Sequence, residues 1–295
     1  MDATVAVVRT AINSTSCVSE RLAGKGAFGL FRNPMGHSKL RPSERPLMER
    51  AKTGRLDVQG KSVATYRWGS GERPVLLVHG WESRGSRLSA IAAALLERGY
   101  SPITFDAPGH GESTGKTTTI LEYRDVITQL HAEYGDFEAV VAHSLGATAT
   151  FFALRQGVRA GRVSTIGGVV DFDYVVEAFC SRLGLRDQVR AELRGRIEHE
   201  LFPQEADIWS RFSVVHEPER VPVPILVVQD DDDEMVGPEQ ALRITEAYGD
   251  RARLITTRRL GHRRILADPA VVAAVVDFVT DDTRTAGAGT GAHAR

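Results

Sequence analysis

The sequence predicts an α/β fold built on a mostly parallel, doubly wound sheet, and three observations support this. From residue 74 onwards, short apolar runs alternate with stretches of helical periodicity, as in repeated strand–helix units. The run 74–78 is apolar throughout, which is typical of a strand buried on both faces of a parallel sheet. With 295 residues, 42% hydrophobic and 25% charged, the chain has an ordinary globular composition and can bury a large core.

The strands follow one another in a regular order. A hairpin comes first, because two strand-like runs flank a short turn that contains Gly60. The predicted strands are 55–58, 62–68, 74–78, 102–105, 139–142, 163–166, 224–229 and 253–257. Helices are expected between the later strands, and Gly99, Gly135 and Gly157 follow three of them as typical stop signals. The predicted helices are 89–98, 120–134, 145–155, 239–248 and 270–280.

The alternation breaks between the sixth and seventh strands. Residues 171–219 contain no clear strand and have the periodicity of amphipathic helices at 174–183, 186–201 and 206–212. We therefore expect a helical cap at this point. The predicted organisation is an irregular or partly helical N-terminal leader at 1–50, a core at 51–170 and 220–281, the cap at 171–219, and a disordered tail at 282–295 that is rich in Gly, Ala and Thr.

Charge and cysteine content exclude several classes of protein. Lys and Arg total 37 against 38 Asp and Glu, a net charge of -1, which argues against a strongly basic nucleic-acid binder. The two cysteines, Cys17 and Cys180, can form no disulfide framework and lack the spacing of a metal site. No segment resembles a signal peptide or approaches the ~20 apolar residues of a membrane span. We expect a cytoplasmic protein with no nucleic-acid partner and no membrane span.

The strongest local motif is Ala142-His143-Ser144-Leu145-Gly146, which follows a predicted strand and opens a predicted helix. This context is typical of a nucleophile elbow, a sharp turn that exposes one side chain between a closely packed strand and helix. Small residues must flank the turn, and Gly146 satisfies this, while Ala142 replaces the first glycine of the usual G-x-S-x-G. We predict that Ser144 is the nucleophile. A buried serine at a tight turn is the structural alternative.

A serine hydroxyl needs a base to take its proton, and the base in turn needs an acid to orient it. His262 is the candidate base, because it follows the last predicted strand and has Gly261 before it. The acid should follow the preceding strand, where four aspartates stand in a row. We choose Asp233, because an apolar anchor, Val236, lies three residues further on. The other candidates in this loop are Asp231 and Asp232.

Two further motifs fit the same plan. His79-Gly80-Trp81 follows the buried strand 74–78, and Gly80 allows the backbone to turn toward the reacting carbonyl. The backbone N–H groups of Trp81 and Leu145 are the predicted oxyanion hole. The loop after the next strand carries Asp106 and His110, whose place in the chain order favours a structural role over a catalytic one.

Taken together, these motifs over residues 62–280 resemble the α/β-hydrolase family, and the Gly109-His110-Gly111 loop resembles that of monoacylglycerol lipases, esterases and proline-type peptidases. The resemblance implies an α/β-hydrolase fold with a mostly parallel eight-stranded sheet flanked by helices and a helical cap inserted between strands 6 and 7. It also implies a Ser–His–Asp triad and no cofactor. The serine at the elbow argues against the haloalkane dehalogenase and epoxide hydrolase branches, which use aspartate there.

The leading functional prediction is a serine hydrolase that cleaves a carboxylic ester or thioester of a small-molecule acyl substrate. One alternative is an acyltransferase, cyclase or chain-releasing thioesterase of a biosynthetic pathway, and another is a binding protein that has lost catalysis. In the cap, apolar residues could roof an acyl pocket or simply pack the cap onto the core; they are Tyr174, Val175, Phe179, Leu183, Trp209 and Phe212. An acyl-carrier protein is a further candidate partner for the cap arginines, although interspersed acids favour a solvated helix; these arginines are Arg182, Arg186, Arg190, Arg194 and Arg196.

Overall fold

The computed structural model describes residues 3–34 and 37–281, and within them the strands form one eight-stranded sheet. The strand order is β1-β2-β4-β3-β5-β6-β7-β8. The pairs β1–β2 and β2–β4 are antiparallel, and all other pairs are parallel. The predicted fold class is thereby confirmed. The strands are β1 Lys52–Val58, β2 Lys61–Arg67, β3 Pro74–Val78, β4 Ser101–Phe105, β5 Ala139–His143, β6 Val163–Ile166, β7 Ile225–Asp230 and β8 Ala252–Thr257.

Helices cover both faces of this sheet, which is why the central strands are apolar on both sides. All five residues of β3 are buried, and its side chains alternate between two apolar clusters. The main flanking helices are α4 Ser89–Glu97, α5 Ile120–Tyr134, α6 Leu145–Arg155, α10 Pro238–Tyr248 and α12 Pro269–Thr280, with short helices α3 Arg45–Met48 and α11 Gly261–Arg264. No helix in the described part of the chain combines the length and apolarity needed to cross a membrane.

A separate helical body lies between β6 and β7. It contains α7 Phe172–Leu183, α8 Asp187–Arg196, a π-helical turn Ile197–Leu201 and α9 Ile208–Arg211. Two helices from the N-terminal region, α1 Ala3–Ser16 and α2 Glu20–Phe31, pack on it and share its apolar core. The Phe31 ring, for example, lies edge-on to Phe179 with centroids 5.3 Å apart. The sequence predicts helices between the sixth and seventh strands but not the packing of the leader helices on them.

The backbones of α2 and α8 approach closely at one point. A Cβ atom added to Gly24 would lie 2.0 Å from the Cγ atom of Glu192, so a larger residue at position 24 would displace the Glu192 side chain. Residues 37–48 then leave this body and cross to the core. Arg87 donates to the Ser38 hydroxyl at 2.6 Å, and the buried Glu44 carboxylate accepts from the Ser86 hydroxyl at 2.6 Å. The predicted tail, 282–295, lies outside the described residues.

Candidate active site

Ser144 occupies the turn between β5 and α6. Its φ of 56° and ψ of -128° are unusual for a residue with a side chain, and such backbone strain is concentrated at functional turns. The turn is closely packed: a Cβ atom on Gly146 would lie 2.8 Å from the carbonyl oxygens of Val78 and His79. Glycine is therefore required at 146, as the motif predicted. Ala142 is fully buried and paired with Val78, so a methyl group is accommodated there.

Asp233 and His262 form a short hydrogen bond. The His262 Nδ1 atom lies 2.7 Å from Asp233 Oδ2, while Asp233 Oδ1 accepts the backbone N–H groups of Met235 and Val236 at 2.8 and 3.0 Å. Burial opposes the charge of Asp233, but these bonds outweigh it and hold the pKa of Asp233 below its usual value. An ionised carboxylate that accepts from Nδ1 leaves Nε2 of the imidazole free to accept a proton.

The structure brings the Ser144 turn and the His262 turn together. His143, next to Ser144, donates its Nε2–H to the His262 carbonyl oxygen at 2.9 Å, and the two imidazole centroids are 4.5 Å apart. Gly167, just after β6, lies against the other side, since a Cβ atom there would be 3.2 Å from His262 Nδ1 and from Asp233 Oδ2. Ser144, Asp233 and His262 thus lie at the carboxyl ends of β5, β7 and β8, and each is 8% exposed.

The alternative acids point elsewhere. Asp231 Oδ2 accepts from the Arg258 guanidinium at 3.1 Å, and Asp232 Oδ2 accepts the Arg259 backbone N–H at 2.8 Å. Both contacts are at the exposed surface of the β8 loop. The geometry therefore favours Asp233 over Asp231 and Asp232 as the partner of His262.

Sequence reasoning missed the structural importance of Asp230, the last residue of β7. Its carboxylate is fully buried and accepts from the Thr257 hydroxyl at 2.7 Å and from the backbone N–H groups of Gly261, Leu260 and Asp232 at 3.0, 3.1 and 3.1 Å. Burial disfavours its charge, but these four bonds hold the pKa of Asp230 below its usual value. Asp230 thereby ties the loop that carries His262 to β7. No sequence signal separates it from its acidic neighbours.

The two predicted oxyanion donors, Trp81 and Leu145, come directly after Gly80 and Ser144 in the chain, and these two residues are in contact. A Cβ atom on Gly80 would lie 2.6 Å from Ser144 Cβ, so the β3 loop is packed directly against the serine turn. Trp81 follows Gly80, and Leu145 follows Ser144 as the first residue of α6. The first N–H groups of a helix have no acceptor within that helix, so the Leu145 N–H is available for another acceptor.

Two other histidines near this turn accept hydrogen bonds from backbone N–H groups. His79 Nε2 accepts the Ala107 N–H at 2.9 Å, and His110 Nε2 accepts the Glu82 N–H at 3.1 Å. Burial lowers the pKa of His79 to about 4 and that of His110 to about 3, so both are neutral at physiological pH. They hold the loop containing Trp81 in place, which supports the structural role expected for His110.

Asp106 serves the same scaffold. Its carboxylate is fully buried and accepts the backbone N–H groups of Gly85 and Glu112, both at 2.9 Å, and the Tyr66 hydroxyl at 3.0 Å. The Arg84 guanidinium lies 3.3 Å away and balances its charge. The polar atoms of Asp106 are therefore occupied by the β3 and β4 loops, as a structural role requires.

A small cleft of about 50 Å³ opens beside His262. Residues of the leader, the β3 loop and the β7 and β8 loops line it, and they include Ser38, Arg41, Trp81, Met235, His262 and Arg263. We call it the arginine cleft. In the described part of the chain, no group of three or more His, Cys, Asp or Glu side chains is arranged to hold a metal ion.

The cap side chains are largely engaged in packing and ion pairs. Leu183 and Phe212 are buried in the apolar core of the cap, while Val175, Phe179 and Trp209 lie partly buried at its edge. Tyr174 donates its hydroxyl to the Met235 carbonyl oxygen at 3.2 Å. Arg190 pairs with Glu177 and Arg194 with Asp173, both between α8 and α7. Arg196 pairs with Glu192 and Glu200, one turn before and after it in the same helical stretch.

The sequence profile of the alpha/beta hydrolase family matches residues 75–275, well over half of the chain. The chain belongs to this family. A non-heme chloroperoxidase, CPO-A1, from Kitasatospora aureofaciens is 35% identical over 85 residues, which are 27% of this chain and 30% of the chloroperoxidase. That match spans less than a third of the relative's length.

Solved structures share the fold at low sequence identity. An esterase from Pyrococcus furiosus is 17% identical with a TM-score of 0.63, and the alignment covers 84% of this chain and 99% of the esterase. A thioesterase domain from the curacin biosynthetic pathway is 20% identical with a TM-score of 0.55, over 78% of this chain and 98% of the domain. At these identities the similarity concerns the fold alone.

Proposed function

We propose that the protein hydrolyses a carboxylic ester or thioester through an acyl-enzyme intermediate on Ser144. The observation that carries the proposal is the 2.7 Å bond between His262 Nδ1 and Asp233 Oδ2, made beside a serine on a strained strand-to-helix turn. A histidine held by a buried carboxylate next to an elbow serine has the parts of a nucleophile, a base and an orienting acid.

The reaction would proceed in two halves. His262 Nε2 takes the Ser144 proton as Oγ attacks the acyl carbonyl, and Asp233 stabilises the imidazolium. The Trp81 and Leu145 N–H groups bind the oxyanion. His262 then gives its proton to the departing alcohol or thiol, leaving the acyl group on Ser144. In the second half His262 deprotonates water, which attacks the acyl-enzyme; Ser144 recovers its proton and a carboxylic acid is released.

The family membership and the esterase and thioesterase of similar fold support this reaction class. An acyltransferase, cyclase or chain-releasing thioesterase would use the same first half, with a hydroxyl or amine in place of water in the second. A non-catalytic binding protein would need neither the strained serine nor its neighbouring His–Asp pair. These alternatives differ in what a covalent probe and an added acceptor would reveal.

The test combines covalent labelling with turnover of p-nitrophenyl esters of varied acyl length. We expect a fluorophosphonate to label the native protein and S144A to lose both labelling and turnover, with kcat falling on the order of 10⁴-fold or more. The matched control is S181A, which removes an exposed cap serine and should behave as the native protein does.

Labelling that persists in S144A would remove the nucleophile assignment. A native protein that neither labels nor turns over any ester would favour the binding-protein alternative. Faster release of p-nitrophenol on addition of an alcohol or amine, with a new ester or amide as product, would instead identify an acyltransferase.

A further inference from the structure

The arginine cleft carries more arginines than there are carboxylates around it. Three arginines line it, Arg41, Arg87 and Arg263, against one acid, Glu82. Arg87 is neutralised by a close ion pair with Glu44. Arg41 lies 3.9 Å from the same carboxylate and its side chain is 51% exposed. Among the residues described by the structure, Arg263 forms no ion pair.

The guanidinium groups of Arg41 and Arg263 reach the cleft from different parts of the chain. Arg41 comes from the leader and Arg263 directly follows the proposed base, so segments far apart in sequence converge on one cleft. His143, which also lines the cleft, is neutral, because burial lowers its pKa to about 3. The cleft is therefore a concave site next to His262 in which Arg263 forms no ion pair with a described residue, while Arg41 shares the Glu44 carboxylate with the more closely paired Arg87.

We infer that the arginine cleft binds an anionic group, a carboxylate or a phosphate, on the leaving-group side of the substrate. The inference rests on the proposed function and deepens it. His262 would protonate the departing alcohol or thiol, so the group that leaves lies on the His262 side, where the cleft opens. A guanidinium binds carboxylate and phosphate oxygens with two parallel hydrogen bonds.

The size of the cleft supports this assignment. Its volume of about 50 Å³ suits one small ionised group, whereas pockets for whole ligands are typically ~300 Å³ or larger. Two apolar lining residues, Met235 and Leu266, could contact the carbon skeleton next to the anion. The cap arginines Arg190, Arg194 and Arg196 offer no comparable site, because each is already paired with an acid.

The test compares matched esters that differ only in a charge on the leaving group. For the carboxylate, the pair is phenyl butanoate and 3-carboxyphenyl butanoate; for the phosphate, it is phenyl butanoate and 3-(phosphonooxy)phenyl butanoate. The readout is the ratio of kcat/KM for the anionic substrate to that for its neutral partner. Because the ratio is compared between variants, differences in intrinsic ester reactivity cancel.

We expect the native ratio to fall by about 10-fold in R263Q and R41Q for at least one of the two pairs, since a lost charged hydrogen bond has an effect of this order. Added salt should also lower the native ratio by screening the arginines. The control is R253Q, which removes an equal charge at the start of β8. This end of the strand is opposite to the end that precedes His262, so the ratio should stay unchanged.

The larger response in one pair would identify the anion as carboxylate or phosphate. A ratio that is unchanged in both variants and for both pairs, while Ser144 still labels with a fluorophosphonate, would overturn the anion site and leave the proposed function standing. If the native protein neither labels nor turns over any of these esters, the proposed function fails, and the inference fails with it.

Discussion

Two loop regions at the same edge of the sheet use the same residue types in different ways. The loops after β3 and β4 contain Asp106, His79 and His110, and those after β7 and β8 contain Asp230, Asp233 and His262. In the first region the Nδ1–H of each histidine donates to a backbone carbonyl oxygen, and its Nε2 accepts from a backbone N–H. All of their polar atoms are therefore used to hold backbone.

The second region divides these tasks between two carboxylates. Asp230 accepts only from the backbone and from Thr257, so it resembles Asp106. Asp233 gives one oxygen to the backbone and the other to His262, whose side chain lines the arginine cleft. These residue types form scaffold where every polar atom bonds backbone, whereas the proposed catalytic pair is found where one acid bonds an imidazole at a cleft.

The largest expected effect is that of D233N. The amide keeps the size of the side chain, but it loses the charge that holds His262 in the required tautomer. We expect kcat for a p-nitrophenyl ester to fall by about 10⁴-fold. D232N and D231N are matched controls one and two residues away and should stay within about threefold of the native kcat, because their carboxylates contact the exposed β8 loop. An equal loss in D231N would reassign the acid.

How far the sequence predicts this site depends on what each residue touches. The apolar run of β3, the strand–helix alternation and the small residues around Ser144 are local patterns, and they predicted the sheet and the serine turn. The choice among the aspartates after β7 is different, because it depends on which side chains turn inward in one loop. An apolar neighbour, Val236, favours Asp233, whereas nothing in the sequence distinguishes Asp230.

The packing of the leader cannot be predicted from the sequence for a related reason. Its apolar residues pack on the cap, and contacts such as that of Phe31 with Phe179 join residues too far apart in sequence for a periodic pattern to reveal them. The close contact of Gly24 with Glu192 likewise follows only from the three-dimensional arrangement of α2 and α8. Arg41 reaches the cleft through the same part of the chain, so an anion site could not be derived from motif spacing.

A second substitution, D230N, tests whether the Asp230 carboxylate stabilises the fold by holding loop backbone, as the Asp106 carboxylate does. D230N replaces one buried oxygen by an NH₂ group that faces backbone N–H donors, so several bonds are lost without replacement. We expect the free energy of unfolding at neutral pH to fall by about 2–3 kcal/mol. Urea unfolding monitored by fluorescence measures it. D231N is the control and should change stability by less than about 1 kcal/mol, since its ion pair with Arg258 is exposed.

The pH dependence of this difference has a definite sign. The folded-state pKa of Asp230 is lowered, so the stability it contributes is present above the unfolded-state value of about 3.9 and is lost as pH falls through the folded-state pKa. The gap between native protein and D230N should therefore narrow as the solution is acidified below about pH 4. A gap that widens on acidification would contradict the ionised, hydrogen-bonded carboxylate.

The smallest expected effect distinguishes a scaffold histidine from a catalytic one. H110F keeps an aromatic ring next to Trp81 and Tyr123 but removes the acceptor of the Glu82 N–H, so the loop carrying Trp81 should shift slightly. We expect kcat/KM to fall by about 10-fold, because small displacements of a catalytic group are costly. H199F, at an exposed cap position, is the control and should retain native activity.

The pH–rate profile separates this effect from a loss of proton transfer. Burial lowers the pKa of His110 to about 3, so its ring stays neutral between about pH 5 and pH 9, and its removal should lower the profile uniformly without moving either limb. A displaced limb in H110F would mean that His110 exchanges a proton during turnover. The division between the two loop regions would then fail, because a residue whose ring nitrogens both bond backbone would also be taking part in the chemistry.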